Sequence, residues 1–438
     1  MPPAPALRNP LILRRVDWGG PMDLVIQWAP PSSLSFAASW IAPAGSAFDP
    51  PGREGTSLAL GRLLSAGTLH RDKRALARDL DRLAAAISVD VDWESVDVEV
   101  SGPASAWREL VALLSEVIRE PALRPEELRR VCREGQEALL RESTEPGPRA
   151  ERVFLETVFP RGHPYHRNPL GTPRSLERLR PETVQRFHER HYTPRGSLLV
   201  VTTDRTEAEL LPVIRKMFGD WEGPPPPPPL PLPPPDHRER DPVYAPLEGT
   251  SQVEVIVGGA SPPRAHPDYP ALFLADEVLG GRPLLSRLFQ KVRERDALAY
   301  STGSELEALR WSGIFTAEAG TSPSTAGRVA GILRDEIRRL AEERIPRDEL
   351  ERIRESFLGS IPLSLETAVA AHGLATTVAA YDLPLDFHVT WPARIRSLSP
   401  PEIREAVASH WWPPGGPIVV ASGPPKGAWK GTVGPSGP

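Results

Sequence analysis

The chain has 438 residues, 40% of them hydrophobic and 25% charged, with a formal net charge of −5. That is an ordinary globular balance with length for about two to four domains, and so small a charge gives no footprint for nucleic acid or an anionic membrane. The one cysteine, Cys132, excludes an internal disulfide framework and every zinc spacing built on cysteines.

In chain order, residues 1–17 carry Arg8, Arg14 and Arg15 but only a short apolar patch at Leu11–Leu13. That is too short for a signal segment, and no 18-residue apolar run follows anywhere, so a cytoplasmic location is expected. Residues 75–86, 106–119, 125–142 and 181–191 read as helices. Ile87, Val89 and Val91, then Val96, Val98 and Val100, alternate with polar residues and predict a half-buried hairpin over 87–101. The apolar run 198–202 closes the first half as a strand.

Prolines 224–229 and the Leu-Pro-Leu-Pro-Pro-Pro that follows predict a polyproline II spacer. Twelve such residues reach roughly 37 Å at about 3.1 Å each. Beyond it, helices are predicted over 325–343, 347–358 and 400–410, and a closing strand over 418–421. Pro125, Pro181 and Pro400 stand at helix starts, where a missing N–H costs nothing; His191 and His410 end helices with a basic group that suits the dipole. Hairpins and helices without steady βαβ alternation indicate α+β layers.

The two halves match in order. Arg190-His-Tyr-Thr-Pro-Arg-Gly aligns with Ser409-His-Trp-Trp-Pro-Pro-Gly, and Leu179-x-Pro181 with Leu398-x-Pro400, all at an offset of 219. Pro125-Glu-Glu-Leu-Arg-Arg-Val131 aligns with Arg347-Asp-Glu-Leu-Glu-Arg-Ile353 at 222. A shared register over separate blocks predicts a doubled domain: 1–222, a linker at 223–241, and 242–438.

These blocks, over about 25–423, resemble the pitrilysin/insulinase family of zinc peptidases and its processing-peptidase-like members. The resemblance rests in the first half on Ala44-Gly45-Ser46, Asp49-Pro50, Gly55, Gly67-Thr68, His163-Pro164-Tyr165, Leu170-Gly171-Thr172 and His191-Tyr192-x-Pro194. In the second half it rests on Leu279-Gly280-Gly281, Ser286-Arg-Leu-Phe289, Arg293-Glu294 and Leu298-Ala-Tyr-Ser301. It implies two homologous halves, each a mostly antiparallel sheet flanked by helices, forming a clamshell.

Family members that cut peptides carry His-x-x-Glu-His on a helix before the Gly-Thr. Two imidazoles one turn apart bind a zinc, and the glutamate activates its water. Here positions 58–62 read Leu58-Ala59-Leu60-Gly61-Arg62. Leucine cannot ligate, glycine supplies no base, and arginine puts a permanent positive charge where a dication belongs. The resemblance places the family's distal glutamate ligand near Glu137 or Ala138, so one possible carboxylate survives without companions. His163-x-x-His166 and His188-x-x-His191 are the other histidine pairs, expected to be surface or capping residues. No metal or other cofactor is therefore expected in this chain.

The family's second constellation, an Arg and a Tyr that close over the substrate, matches Arg293 and Tyr300, with Ala297 where relatives usually have glycine. A guanidinium and a phenol can donate to a scissile carbonyl and stabilise the tetrahedral oxyanion. The bland alternative makes Arg293 an ion-pair partner and Tyr300 half-buried core. Loss of zinc ligands with retention of these donors implies the zinc-free subunit of a heterodimeric metallopeptidase, inactive alone. Its expected partners are a homologous zinc-binding subunit and an unfolded peptide. The competing readings are a non-enzymatic peptide-binding scaffold, in which a sheet edge holds extended peptides, and an independent enzyme with a relocated site, for which no nucleophile–base pair is evident.

Overall fold

The computed structural model describes residues 12–29, 33–228, 230, 232–235, 241–365 and 367–425. Its first half runs β1 (Ile12–Arg15), β2 (Asp23–Trp28), β3 (Ser35–Ala42), α1 (Thr56–Leu64), α2 (Lys73–Leu83), β4 (Ala86–Val91) and β5 (Val96–Pro103). Then come α3 (Trp107–Arg119), α4 (Pro125–Thr144), α5 (Pro146–Val158), α6 (Pro173–Glu177), α7 (Pro181–His191), β6 (Leu198–Thr203) and α8 (Glu207–Phe218). The second half runs β7 (Val243–Pro246), β8 (Val253–Ser261), α9 (Tyr269–Asp276), β9 (Ala299–Ala308), β10 (Gly313–Thr321) and α10 (Ala326–Glu342). It ends with α11 (Arg347–Ser364), α12 (Ala368–Ala380), α13 (Phe387–Ser397), α14 (Pro400–His410) and β11 (Ile418–Gly423).

The duplication read from short blocks is a duplication of topology. The first sheet has the order β1-β2-β6-β3-β5-β4 and the second β7-β11-β8-β10-β9. Without β1, each strand of one has its counterpart at the same place in the other. In both, the closing strand lies parallel to the opening one (β6 beside β2, β11 beside β7), and every other pairing is antiparallel. The predicted hairpin is β4–β5, with Ile87 opposite Val100, Val89 opposite Val98 and Val91 opposite Val96.

The compact units do not follow the sequence halves. The first unit comprises 1–137, 168–230 and 360–389; the second comprises 138–167, 231–359 and 390–438. Each half thus contributes one helical segment to the other half's unit: α5 to the second and α12 to the first. Sequence periodicity missed both helices for a physical reason. α12 reads Ala-Val-Ala-Ala-His-Gly-Leu-Ala-Thr-Thr-Val-Ala-Ala, with scarcely a polar face, so no 3.6-residue alternation stands out.

In the first unit, α3 buries Leu110, Val111, Leu114, Val117 and Ile118 and packs on β3 and β5. On α12's side, Ala375, Val378 and Ala379 cluster with Val25, Ile41 and Val200 of β2, β3 and β6. With both sheet faces covered, β2 and β6 read as continuous apolar runs. His372 of α12 is fully buried there. Its Nδ1 lies 2.8 Å from Thr202 Oγ1 and its Nε2 3.1 Å from Ser39 Oγ. Burial pushes its pKa down to about 3, so it is a neutral tie between α12 and the sheet.

In the second unit, Val253, Val255 and Val257 of β8 join Val329, Leu333 and Ile337 of α10 and Ile403 and Val407 of α14 in one core, while α5 packs on β8 and β11. The described part of the proline tract has neither helix nor strand. Its start is held by Arg190 Nη1, which donates to the Pro225 carbonyl at 2.8 Å. Among the described residues no helix is long and apolar enough to cross a membrane.

Candidate functional site

The first-half blocks converge on α1. At Gly45 the Trp93 backbone passes within 2.4 Å of where a Cβ would stand, so only glycine fits. This approach lets Ser46 and Ala47 N–H donate to Asp92 and Trp93 carbonyls at 2.9 and 2.8 Å. The chain then turns to Asp49, whose buried carboxylate accepts from Gly55 N at 2.6 Å and Ser57 N at 2.7 Å. An aspartate aimed at the first amides satisfies donors that a helix start leaves free. At the far end, Gly67 has a φ of 120°. Thr68 Oγ1 accepts from His70 N and Arg71 N at 3.2 and 3.0 Å and donates to Glu116.

The helix and the turn after it are therefore firmly held, but the donor set at 58–62 does not fit a metal. Leu58 and Arg62 are half-buried, and Gly61 is buried. Where a side chain at 61 would begin, Val91 Cγ2 stands 2.6 Å away. The volume a catalytic glutamate would occupy is filled by β4. Arg62 has no carboxylate partner among the described residues, and Glu137 is exposed. Ala59, Leu60, Leu63 and Leu64 are buried in the core, so α1 serves packing.

Of the histidine pairs, His163, His166 and His188 are capping groups and His191 packs on a ring; His163 is buried and the other three half-buried. His163 Nδ1 accepts from Tyr165 N at 3.1 Å, and His166 Nδ1 lies 2.8 Å from the Phe159 carbonyl. His188 Nε2 meets the Ile118 carbonyl at 2.7 Å, and His191 stacks on Phe187 with ring centroids 4.4 Å apart. Burial lowers the pKa of His163 and of His191 to about 4.

In the second unit, Arg293 and Tyr300 lie on either side of one turn. A wide helical turn, Phe289–Arg295, carries Arg293, and Tyr300 is the second residue of β9. The framing residues are fixed. Leu288 is fully buried, and Arg287 donates through Nε and Nη2 to both Glu349 oxygens at 2.7 and 2.9 Å. Lys291 pairs with buried Glu336. Asp296 accepts from Arg295 Nε at 2.8 Å and Arg328 Nη2 at 3.0 Å. Between them Ala297 has a φ of 48°, the left-handed region that favours glycine. The substitution of alanine here leaves a glycine-type turn in place, at a cost of about 1–2 kcal/mol.

Within this frame the two candidate donors project outward. Arg293 is exposed, with only the Phe289 ring beneath it at 5.1 Å. Tyr300 is 87% exposed. Among the described residues neither has a hydrogen-bond or ion-pair partner. Both bland expectations therefore fail, since Arg293 is in no ion pair and Tyr300 is not core. Sequence reading missed a group in the same unit, His266, Asp268 and His410, whose potential ligand atoms lie within 4.8 Å of one another. Their separation along the chain hid it.

The fold and the degenerate helix define a zinc-peptidase-like protein whose zinc-binding helix has lost its ligands. Two family models match in tandem: Insulinase (Peptidase family M16) over residues 24–158 and Peptidase M16 inactive domain over 178–357. The chain belongs to this insulinase-like M16 family. An uncharacterized zinc protease of Rickettsia bellii is 23% identical over 349 residues, covering 78% of this chain and 81% of that protein. One of Streptomyces coelicolor is 28% identical over 268 residues, 59% of this chain and 57% of its own length. A Helicobacter pylori protein described as a non-peptidase homolog is 20% identical over 357 residues, with 81% and 82% covered. Among solved structures, the peptidase M16 inactive domain from Pseudomonas fluorescens superposes with a TM-score of 0.86 at 19% identity, covering 94% of this chain and 98% of that one. A protease from Helicobacter pylori gives 0.84 at 17% identity, with 94% and 100% covered. At these identities the structures establish the fold.

Proposed function

We propose that this protein is the zinc-free subunit of a heterodimeric M16-type metallopeptidase, contributing Arg293 and Tyr300 to a site whose zinc the partner holds. The observation that carries this is a contrast within one chain. Position 61, where the family's catalytic glutamate would stand, is crowded by Val91. Arg293 and Tyr300 sit exposed and uncommitted beside a turn framed by ion-paired Arg287, Lys291 and Asp296 and buried Leu288.

The chemistry asked of them is modest. As a partner-activated water attacks a peptide carbonyl, negative charge grows on its oxygen. A guanidinium and a phenol aimed there donate charge-assisted hydrogen bonds that strengthen in the transition state. The peptide itself would be held extended along a sheet edge by backbone hydrogen bonds; β1 and β4 edge the first sheet, β7 and β9 the second.

The test is reconstitution with a homologous chain that retains His-x-x-Glu-His. Arg293→Ala and Tyr300→Phe are expected to lower the pair's kcat by on the order of 10²-fold each, with complex formation unchanged. Full turnover in both variants would leave the second reading, a peptide-binding scaffold without chemistry. The Helicobacter pylori relative described as a non-peptidase homolog favours that reading. Stoichiometric zinc on α1 with hydrolysis by the lone chain would overturn both.

A further inference from the structure

We propose that His266, Asp268 and His410 form a binding site for one divalent cation of the zinc class, tying the loop before α9 to the end of α14. The group owes nothing to the helix that carries zinc in peptidase relatives, being made wholly from the second unit. Asp268 is the N-cap residue of α9, yet its carboxylate makes no cap hydrogen bond. It is turned instead toward two imidazoles: His410 Nε2 lies 2.9 Å from Asp268 Oδ2, and His266 Nδ1 lies 3.9 Å from the same oxygen. The two rings meet edge to face, centroids 5.1 Å apart.

The two distances to Asp268 bracket what a cation needs, and with all the ligand atoms within 4.8 Å of one another an ion would draw them closer. With metal–nitrogen and metal–oxygen bonds of about 2.0–2.2 Å, the ligands of a tetrahedral ion stand about 3.3 Å apart. Two imidazoles and one carboxylate are the donors of zinc, nickel, cobalt or copper, and not of magnesium or calcium. His266 Nδ1 accepts the Asp268 amide at 3.1 Å, which puts the ring proton on Nε2 and means that a cation at Nδ1 takes the place of that hydrogen bond. The proton shared between His410 and Asp268 is the one a cation would displace. All three side chains are partly exposed, so the fourth position is open to water.

The site is also built on rigid supports. His266 N donates to the Pro263 carbonyl and Tyr269 N to the His266 carbonyl, both at 3.0 Å, and Arg264 N donates to the Leu309 carbonyl at 2.9 Å. Prolines 262, 263 and 267 stiffen the same loop. Behind His410, Trp411 stacks on Phe315 at 3.7 Å and donates from Nε1 to Ser261 Oγ at 3.1 Å. Ligands held this way lose little freedom on binding.

The experiment titrates zinc into the untagged, metal-stripped full chain by calorimetry and measures bound metal after dialysis. It is repeated with cobalt, whose visible absorption reports tetrahedral coordination. One equivalent is expected, with a zinc-dependent rise in Tm. His266→Ala and His410→Ala should each weaken binding at least about 10-fold, and Asp268→Asn should do the same; His266 lies in a loop, so its variant separates lost binding from lost folding. Less than one equivalent, or one equivalent that all three variants leave intact, would overturn the proposal.

Discussion

Gly61 and Ala297 are single residues whose surroundings say what each position was shaped for. Beside Gly61, Val91 stands 2.6 Å from where a Cβ would begin, so restoring the family's glutamate there is a packing problem before it is a chemical one. Gly61→Glu is expected to destabilise the chain by at least roughly 1–3 kcal/mol from overpacking alone, with more added if the carboxylate stays buried without a partner. A urea midpoint unchanged by this substitution would contradict the packing described here. Ala297 is the reverse case. Its backbone stays where a glycine would put it, at a φ of 48°, although the residue type has changed. The identity of 297 was legible in the sequence; that the turn kept its form, leaving Arg293 and Tyr300 unburied, was not. Side-chain exposure depends on what the rest of the chain covers.

At the scale of elements, the two sheets share a property that no single strand discloses. On the face away from the main core, each carries acidic groups with little water to stabilise their charge. In the first, Asp97 lies directly opposite Asp90 in the β4–β5 ladder, and burial pushes its carboxyl up to about 7, with Ser39 donating to it and Glu99 and Asp90 adding repulsion. In the second, burial and the neighbouring Glu318 take Glu254 to about 7; off the sheet, Asp276 at the end of α9 also reaches about 7, by burial against a bond from Ser304. An unfolded chain loses these protons near pH 4, whereas the folded chain keeps them to about 7. Their contribution to stability is therefore present below 4 and lost as pH rises through 7. The buried histidines act oppositely. His163, His191 and His372, lowered to about 4, 4 and 3, refuse protons that the unfolded chain accepts near 6.5, so their contribution is lost as pH falls through 4. The two sets oppose each other between about 4 and 6.5, and above that only the carboxyls act. Tm is expected to fall from pH 6.5 to 8, and Asp97→Asn to raise it more at pH 8 than at pH 5. An equal shift at both values would rule out a buried, protonated Asp97.

For the whole molecule, the exchange of helical segments outweighs the duplication in its consequences. Residues 1–222 look like a domain in sequence and contain the entire first sheet, but α12, which covers Val25, Ile41 and Val200, comes from 360–389. A fragment of 1–222 would expose that apolar face and leave Ser39 and Thr202 without His372. It is expected to aggregate or to lack a cooperative unfolding transition by circular dichroism. A soluble, cooperatively folded fragment would show that α12 is dispensable. The proline tract joins the first half to the second, yet four further crossings of the chain pass between the units, so it is not their sole connection.

By itself the sequence determined the doubled α+β plan, the family and the loss of the zinc ligands. These are written in local signals: ordered blocks, proline at helix starts, alternation in β4–β5, and residue types at 58, 61 and 62. Only the tertiary structure decided which segment completes which unit, because which sheet covers the buried face of α5 or of α12 depends on the fold and not on local sequence. It alone decided that Val91 occupies the space beside Gly61, that Arg293 and Tyr300 face solvent, and that His266 and Asp268 meet His410 from 142 residues away. Each of these depends on what the fold brings next to a residue, and a linear spacing carries no record of that.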